Sequence, residues 1–220
     1  MLLTVIVLVV QNDDEVKAGR AVESVSFLDE VLVVKEEFPI YDFSQVRNKA
    51  LDQAKGEWVL FVDSDEEVSQ QLAKEIKGVV EFSKNGYFLR RQDKFLGRWL
   101  KYGETANVRL LRLAKKNAGR WVRPVHEVWK VEGNIGELKN PLLHYSHETV
   151  EEMVEKLDRY SEMEAEYKNK QIDKYTNIRI NKWMILAQMI IFPTAKFVQN
   201  YFLRLGFLDG MEGFIHAGMM

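Results

Sequence analysis

Cysteine is absent from this sequence of 220 residues. Disulfide bonds and thiolate metal sites are therefore excluded, and a reducing compartment is compatible with the sequence. An excess of basic residues is also missing, because 31 Lys and Arg side chains are balanced by 33 Asp and Glu side chains, which leaves a net charge of -2. Binding to a phosphate backbone usually shows as a basic excess or a basic stripe. We therefore expect no nucleic-acid partner.

The sequence also lacks long hydrophobic runs and the common glycine-rich phosphate-binding motifs. The most apolar stretch, 183–195, lies between two lysines and contains Pro193. It is shorter than the roughly 18 residues that a membrane-spanning helix needs. The apolar N-terminus MLLTVIVLVV has neither a basic region nor a cleavage site, so it is predicted to be a strand, and a cytoplasmic protein is expected. No G-x-G-x-x-G follows that strand and no G-x-x-x-x-G-K occurs, so dinucleotide-binding and P-loop proteins are not supported.

Strand-like and helix-like segments alternate in the first part of the chain. Apolar runs of strand length occur at 3–10, 31–34 and 57–62. Segments with one apolar helical face lie between and after them, which predicts a Rossmann-like, three-layer α/β fold with a mostly parallel sheet. From Gly86 the predicted strands become shorter, and this half is expected to be mixed or antiparallel. We predict a catalytic domain over 1–147 and a helical C-terminal extension over 148–220.

The stretch 43–68 combines a helix, a buried strand and a group of carboxylates. Ser44 is the candidate helix cap. The unbroken apolar run 58–62 indicates a strand covered on both faces, as in the centre of a parallel sheet. This strand leads into Asp63 and Asp65. A carboxylate pair at the carboxyl end of a strand suits a hard divalent cation whose other ligands are phosphates and water. A solvated acidic turn is the alternative interpretation.

Arginines are concentrated in the half of the predicted catalytic domain that begins at Gly86. They are Arg90, Arg91, Arg109, Arg112, Arg120 and Arg123. Guanidinium groups near an acidic metal site could neutralise a diphosphate, and we expect two of the six at most to contact a ligand.

The last third of the sequence has a helical pattern. An amphipathic helix is predicted from Val150, a second over 176–191 and a third over 195–208, after Pro193. The final part is rich in aromatic and aliphatic residues, with lysine and arginine at intervals, which is compatible with peripheral contact of 183–220 with a membrane. Packing of these apolar faces on the sheet or on another subunit is the alternative, and the oligomeric state stays open.

A set of short motifs extends in order over nearly the whole chain. They are Asn12 with the acidic residues after it, Asp29-Glu30, Arg47-Asn48 with Ala50-Leu51, Gly56-Glu57-Trp58-Val59-Leu60, Asp63-Ser64-Asp65-Glu66, Arg109-Leu110, Val125-His126-Glu127, His144-Tyr145-Ser146, Gly206-Phe207-Leu208-Asp209-Gly210 and Gly213. Together they resemble the family 2 glycosyltransferases, and within them the lipopolysaccharide core beta-1,4-glucosyltransferase-like branch.

The resemblance implies a GT-A fold that binds a nucleotide-diphosphate sugar with Mg²⁺ or Mn²⁺ and transfers the sugar with inversion. The implied metal ligands are Asp63, Asp65 and His144, with His126 as the alternative histidine that reaches the metal or the diphosphate. The implied donor-binding residues are Asn12, Arg47, Asp63 and Arg109. Glu127 and His126 match the family's His-Glu pair, with Glu127 as the candidate base. Neighbours in an extended segment point to opposite faces, so both can face the acceptor only if the backbone turns there. For each histidine a structural role is the alternative, and for Arg47 a salt bridge to the acidic loop.

The implied partners are a UDP-sugar and a saccharide or lipid-linked cell-envelope acceptor at the inner face of the cytoplasmic membrane. One segment departs from the family pattern: after Val34 the sequence KEEFPIY lacks the usual Asp and its loop is shortened, which leaves base recognition open. A degenerate, non-catalytic protein with the same fold is therefore the alternative function. A sugar-phosphate nucleotidyltransferase ranks last, because no Gly-rich basic loop follows the first strand.

Overall fold

A computed structural model describes residues 2–10, 15–37, 40–79, 84–172 and 182–219 of the chain. Asn12, which the resemblance implies as a donor-binding residue, lies outside the described residues, as does the start of the helix predicted over 176–191.

Strands and helices follow each other in the predicted alternation. Within the described residues the strands are β1 (Leu3–Val10), β2 (Glu30–Glu36), β3 (Trp58–Asp63), β4 (Glu66–Val68), β5 (Gly86–Phe95), β6 (Arg98–Trp99), β7 (Arg109–Lys115), β8 (Gly119–Val122), β9 (Val128–Val131), β10 (Ile135–Glu137) and β11 (Leu142–His147). The helices are α1 (Glu15–Val25), α2 (Phe43–Gln53), α3 (Gln70–Val79), α4 (Val150–Ile172), α5 (Lys182–Val198) and α6 (Gly210–Met219).

The main sheet has the order β2-β1-β3-β7-β5-β11-β4. Strand β1 pairs in parallel with both β2 and β3, whereas β7 runs antiparallel to β3 and to β5. Strands β8 and β9 form a separate antiparallel hairpin. The predicted α/β fold is confirmed, with its parallel first half and its mixed second half.

Strand β3 is the central element of the core. Trp58, Leu60 and Val62 lie in a hydrophobic cluster on one face of the sheet, and Val59 and Phe61 lie in a second cluster on the other face. All five side chains are fully buried. This burial on both faces is what the unbroken apolar run predicts, and it fixes the point at which the strand leaves the core, at Asp63.

The N-cap of α2 differs from the prediction. Asp42, not Ser44, is the cap residue: its side chain accepts the backbone N–H of Gln45 at 3.0 Å, and the Ser44 hydroxyl donates to the same carboxylate at 2.6 Å. The backbone of Asp42 is extended, as a cap requires, whereas Ser44 is already inside the helix.

The chain divides into two compact units. The first comprises Met1–Arg91 and Arg109–Tyr145, and the second comprises Gln92–Val108 and Ser146–Met220. The first contains the parallel strands with α1, α2 and α3.

The second unit contains α4, α5 and α6. The prediction that one helix ends and another begins at Pro193 is wrong, because α5 continues through Pro193 to Val198 and is followed by a π-helical turn, Gln199–Leu203. Proline removes one backbone donor without necessarily ending a helix, and the helical pattern continues after it: the hydroxyl of Thr194 donates to the carbonyl of Ile190, four residues earlier, at 2.7 Å. Among the described helices, none is long and apolar enough to cross a membrane.

Candidate functional site

Two guanidinium groups hold the carboxylate of Asp63, at the end of β3. Arg47 Nη2 lies 2.7 Å from Asp63 Oδ1, and Arg112 Nη2 lies 2.6 Å from Asp63 Oδ2. Burial alone would raise the pKa of the Asp63 carboxyl. The charges of Arg112 and Arg47 have the larger effect and lower this pKa to about 2. Asp63 is therefore a firmly ionised carboxylate whose two oxygens both accept from arginine.

A β-bulge directs Arg112 to this position. Tyr87 and Phe88 are consecutive on β5, but their partners on β7 are Leu113 and Leu111, so Arg112 is the extra residue of β7. Bulges change the direction of a side chain and often lie next to active sites. The sequence places Arg112 in an apolar strand, and the bulge allows it to reach Asp63 from there.

Arg47 connects Asp63 to the predicted catalytic base. Its Nε lies 2.7 Å from Glu127 Oε1, so one buried guanidinium bridges two carboxylates that are 64 residues apart in the sequence. Burial lowers the pKa of Arg47, but the charges of Asp63 and Glu127 outweigh this and raise it, so the group stays charged. The Trp121 ring lies 4.7 Å from the Arg47 guanidinium carbon, within cation–π distance.

The hairpin that carries Trp121 is fastened to α2. The side-chain amide of Asn48 donates to the backbone carbonyl of Trp121 and accepts a hydrogen bond from the backbone N–H of Trp121, both at 3.0 Å. The side chain thus forms the pair of bonds that the backbone of an adjacent strand would form. The backbone N–H of Phe43 also donates to the carbonyl of Pro124 at 2.9 Å. These bonds hold the segment that leads to Glu127 against the helix that carries Arg47.

The backbone turns between β8 and β9, where the His-Glu pair lies. His126 has φ 51° and Arg123 has φ 75°, both in the left-handed region that non-glycine residues rarely adopt. The condition under which both His126 and Glu127 can face an acceptor is therefore met. Left-handed residues of this type cluster at functional sites.

Asp65 and His144 come together on the other side of the turn that follows β3. His144 Nε2 lies 3.3 Å from Asp65 Oδ2, and both side chains are largely buried. The pairing of β4 with β11 produces this contact, because it places His144 opposite Glu66, and the carbonyl of Asp65 accepts the N–H of Tyr145 at 2.8 Å. Two of the three predicted metal ligands are thus neighbours.

Glu66 supports the acidic turn from inside. Its Oε2 accepts the backbone N–H of Asp63 at 2.9 Å, and the side chain is buried. Burial, together with the charge of Asp63, raises the pKa of Glu66. The turn therefore combines Asp63, whose ionised form is stabilised, with Glu66, whose ionised form is disfavoured.

Arg109 belongs to a different group of charges. Its Nη1 lies 3.1 Å from Glu137 Oε2, while Arg90 Nε lies 2.9 Å from Glu137 Oε1. Donor binding by Arg109 stays a prediction, as does donor binding by Asn12.

The arrangement can be compared with what a divalent cation needs. Among the described residues, no group of three His, Asp or Glu side chains is assembled as a metal site. A hard cation in a phosphate-binding site needs only one or two carboxylates, with phosphates and water as the other ligands. Asp65 supplies one such carboxylate, and His144 Nε2 lies 3.3 Å from it. Asp63 has both oxygens in ion pairs, so its role as a metal ligand would require the loss of one arginine contact and stays a prediction.

Sequence reasoning missed two contributors to the site, Arg112 and Trp121. Arg112 was one of six arginines that composition could not separate, although it is the one enclosed by an apolar run, Leu110-Leu111 and Leu113-Ala114. Such a buried cation needs a carboxylate partner, and that is the signal by which it could have been found.

Fold, site and sequence together identify the class. Asp63 and Asp65 lie at the carboxyl end of β3, the edge at which open α/β sheets bind their ligands. The amino-acid sequence matches the family model described as Glycosyl transferase family 2 over residues 7–126, more than half of the chain. The chain belongs to this family and is a glycosyltransferase.

Relatives from two rickettsial species support the same assignment. The chain is 25% identical over 245 residues to an uncharacterized glycosyltransferase of Rickettsia typhi, covering 95% of this chain and 80% of the relative. It is 24% identical to an uncharacterized glycosyltransferase of Rickettsia prowazekii, with the same coverage. Among solved structures, that of S. aureus TarS 1–349 in complex with UDP is 15% identical with a TM-score of 0.46, covering 100% of this chain and 89% of that chain.

Proposed function

We propose that the protein transfers a sugar, with inversion, from a nucleotide-diphosphate donor to a saccharide or lipid-linked acceptor of the cell envelope. A UDP-sugar is the first donor to test, and a lipopolysaccharide-type acceptor is the first acceptor class. The observation that carries the proposal is the convergence of Arg47, Asp63 and Glu127 from three separate segments, with Asp65 and His144 at the same turn. Membership of Glycosyl transferase family 2 supports the reaction class.

The acidic turn is the proposed place for a divalent cation. Asp65 and His144 are the residues that would hold Mg²⁺ or Mn²⁺, and when bound the ion would supply Lewis-acid neutralisation of the departing diphosphate. Arg47 and Arg112 keep Asp63 ionised and fixed at the end of β3. They thereby fix the backbone that presents Asp65, two residues further along.

Glu127 is the proposed base. It accepts the proton of the acceptor hydroxyl, the acceptor oxygen forms a bond to the anomeric carbon, and the bond from that carbon to the diphosphate oxygen breaks on the opposite face of the sugar. Arg47 holds Glu127 Oε1 at 2.7 Å and so orients the carboxylate. His126, in its left-handed turn, sets the direction in which the next residue, Glu127, leaves the loop.

The second candidate function is a non-catalytic binding protein with this fold. The ion pair between Arg47 and Glu127 favours it, because a carboxylate already engaged with a buried guanidinium has a structural role available to it. The two functions differ in one measurable respect: only the enzyme turns over the donor.

Release of nucleoside diphosphate from UDP-sugars with Mn²⁺ tests the proposal. We expect turnover by the unmodified protein and a loss of at least about 100-fold in Asp65→Asn and Glu127→Gln, since removal of a catalytic base costs 10² to 10⁴. Glu23→Gln, which changes an exposed acid of α1, is the control and should retain turnover. Unchanged turnover in Asp65→Asn and Glu127→Gln, with folding shown by circular dichroism, would contradict these roles.

A further inference from the structure

The end of the chain presents a large apolar surface to solvent within the second unit. We name it the C-terminal apolar surface and define it by Met189–Phe192, Phe202, Leu203, Leu205 and Met211. These side chains are between 44% and 75% exposed. Clusters of exposed apolar side chains often mark a surface that binds a protein or a membrane.

Two polar side chains of this segment, Lys196 and Asn200, are directed towards Glu104. Lys196 Nζ lies 2.7 Å from Glu104 Oε1, Asn200 Nδ2 donates to Glu104 Oε2 at 3.2 Å, and Arg204 Nη1 donates to Asn200 Oδ1 at 3.1 Å. Asn200 is buried, whereas Phe202 and Leu203 next to it are exposed. At these positions a polar side chain is buried and apolar side chains are exposed, whereas a surface helix of a water-soluble protein turns its apolar face inward.

The exposed apolar residues of α5 point in all directions around its axis. Met189, Ile190, Ile191 and Phe192 are consecutive and all exposed. Since successive residues of an α-helix are about 100° apart, these four cover most of the circumference. A second protein molecule packed on one side of α5 would leave the other sides in water. A partner that covers these side chains must therefore surround the helix, as the interfacial region of a lipid bilayer does.

The described part of helix α5 suits a membrane surface. It extends over the 17 residues Lys182–Val198, or about 25 Å, and no described helix is long and apolar enough to cross a membrane. Its one hydroxyl side chain between Met189 and Val198, that of Thr194, donates to a carbonyl within the helix. It therefore enters an apolar environment without losing a hydrogen bond.

The charges beside the surface are compatible with anionic head groups. Lys101 and Arg204 are exposed. Two acids lie close to the surface in sequence. Asp209 is buried and accepts backbone N–H groups of Lys101 and Tyr102 at 2.8 to 3.2 Å, so its carboxylate is directed inward. Glu212 is partly exposed and forms an ion pair with Arg98 at 3.6 Å. Cations near an anionic bilayer add to the affinity that apolar burial provides.

We propose that the C-terminal apolar surface binds the interfacial region of a bilayer that contains anionic lipid. The contacts of Lys196 and Asn200 with Glu104 tie the loop 101–104 to this surface. The N–H of Gly103 in the same loop donates to the carbonyl of Arg204 at 2.9 Å. A membrane-bound protein therefore holds this loop next to the lipid head groups.

Flotation with vesicles of phosphatidylethanolamine and phosphatidylglycerol, without nucleotide or metal, tests the proposal independently of sugar transfer. The matched variants are Phe202→Glu in the surface and Phe27→Glu in the first unit, whose side chains are 53% and 51% exposed. We expect the unmodified protein and Phe27→Glu to float alike, and Phe202→Glu to bind at least about tenfold more weakly, because burial of one large apolar side chain is lost. Leu203→Glu should behave like Phe202→Glu and does not disturb the ring contacts of Phe202 with Phe197 and Tyr201.

Three results would overturn the proposal. The first is failure of the folded, unmodified protein to float with the anionic vesicles. The second is equal flotation of Phe202→Glu, Leu203→Glu and Phe27→Glu. The third is a stable dimer, seen by light scattering, that Leu203→Glu dissociates while no form of the protein binds vesicles, since the occupant would then be a second copy of the chain. Sugar transfer is measured with a soluble acceptor analogue, so a failure of membrane binding and a failure of catalysis are distinguished.

Discussion

Replacement of Asp63 by Asn tests the energetic consequence of placing one carboxylate between two guanidiniums. The side chain is 27% exposed and lies 2.7 Å from Arg47 and 2.6 Å from Arg112, which are both buried. Asn keeps the shape of the side chain and removes its charge, so Arg112 loses the carboxylate partner that its burial requires.

The pKa of Asp63 gives the size and the pH range of the effect. The pKa falls from its usual 3.8 to about 2, and at about 1.4 kcal/mol per pKa unit this corresponds to about 2 to 3 kcal/mol of folding free energy. Since the folded-state pKa is depressed, this stabilisation is fully present above about pH 4 and is lost as the pH falls towards 2. We therefore expect Asp63→Asn to lower the free energy of unfolding by about 2 to 3 kcal/mol at pH 7, and by progressively less below pH 4.

Urea denaturation at pH 7, 5, 4 and 3, in buffer that contains a chelator, measures the difference between the two proteins. Asp52→Asn is the matched control, because Asp52 pairs with Arg120 at 2.5 Å but both side chains are 57 to 58% exposed. An exposed pair contributes less than about 1 kcal/mol. Equal destabilisation by the two substitutions, or an Asp63→Asn difference that does not change between pH 5 and pH 3, would refute the reasoning.

Two further substitutions test the local structure. Asp42→Ala should lower the free energy of unfolding by about 1 kcal/mol in urea denaturation, because the N-cap bond to Gln45 is lost; no change would contradict the cap assignment. Gly213→Ala should destabilise the second unit by about 1 to 3 kcal/mol, because an added Cβ would lie 2.0 Å from the carbonyl oxygen of Gly206. Limited proteolysis would detect this, with Gly19→Ala, whose Cβ meets nothing within 4 Å, as the control that should resist cleavage like the unmodified protein.

The parallel part of the fold could be predicted because its strands are unbroken apolar runs. The run from Trp58 to Val62 has no polar position, so it requires cover on both faces, and the structure provides it. The end of the run at Asp63 likewise marks where the backbone meets polar surroundings. Local composition is sufficient for these features because they depend on burial alone.

Features that depend on backbone dihedrals or on distant pairing could not be predicted in the same way. Asp42 and Ser44 are both good cap residues, and only the extended backbone of Asp42 decides between them. The bulge that turns Arg112 towards Asp63 arises from the pairing of β5 with β7, which no local pattern shows. The left-handed turn at His126 lies between β8 and β9, in a stretch, 121–131, that contains no glycine to mark it.

Binding of a donor is the most direct test of the central claim, that the acidic turn at Asp63 and Asp65 forms the donor site of a metal-dependent glycosyltransferase. The melting temperature would be measured with UDP-, GDP-, CDP- and dTDP-sugars, each with and without Mn²⁺. A ligand that binds only the folded state raises this temperature, by an amount that corresponds to about 2.7 kcal/mol at a concentration of 100 times Kd. We predict a Mn²⁺-dependent rise with the UDP-sugar that disappears in Asp65→Asn and persists in Asp52→Asn. No rise with any of the four nucleotides, in protein shown to be folded, would contradict the account.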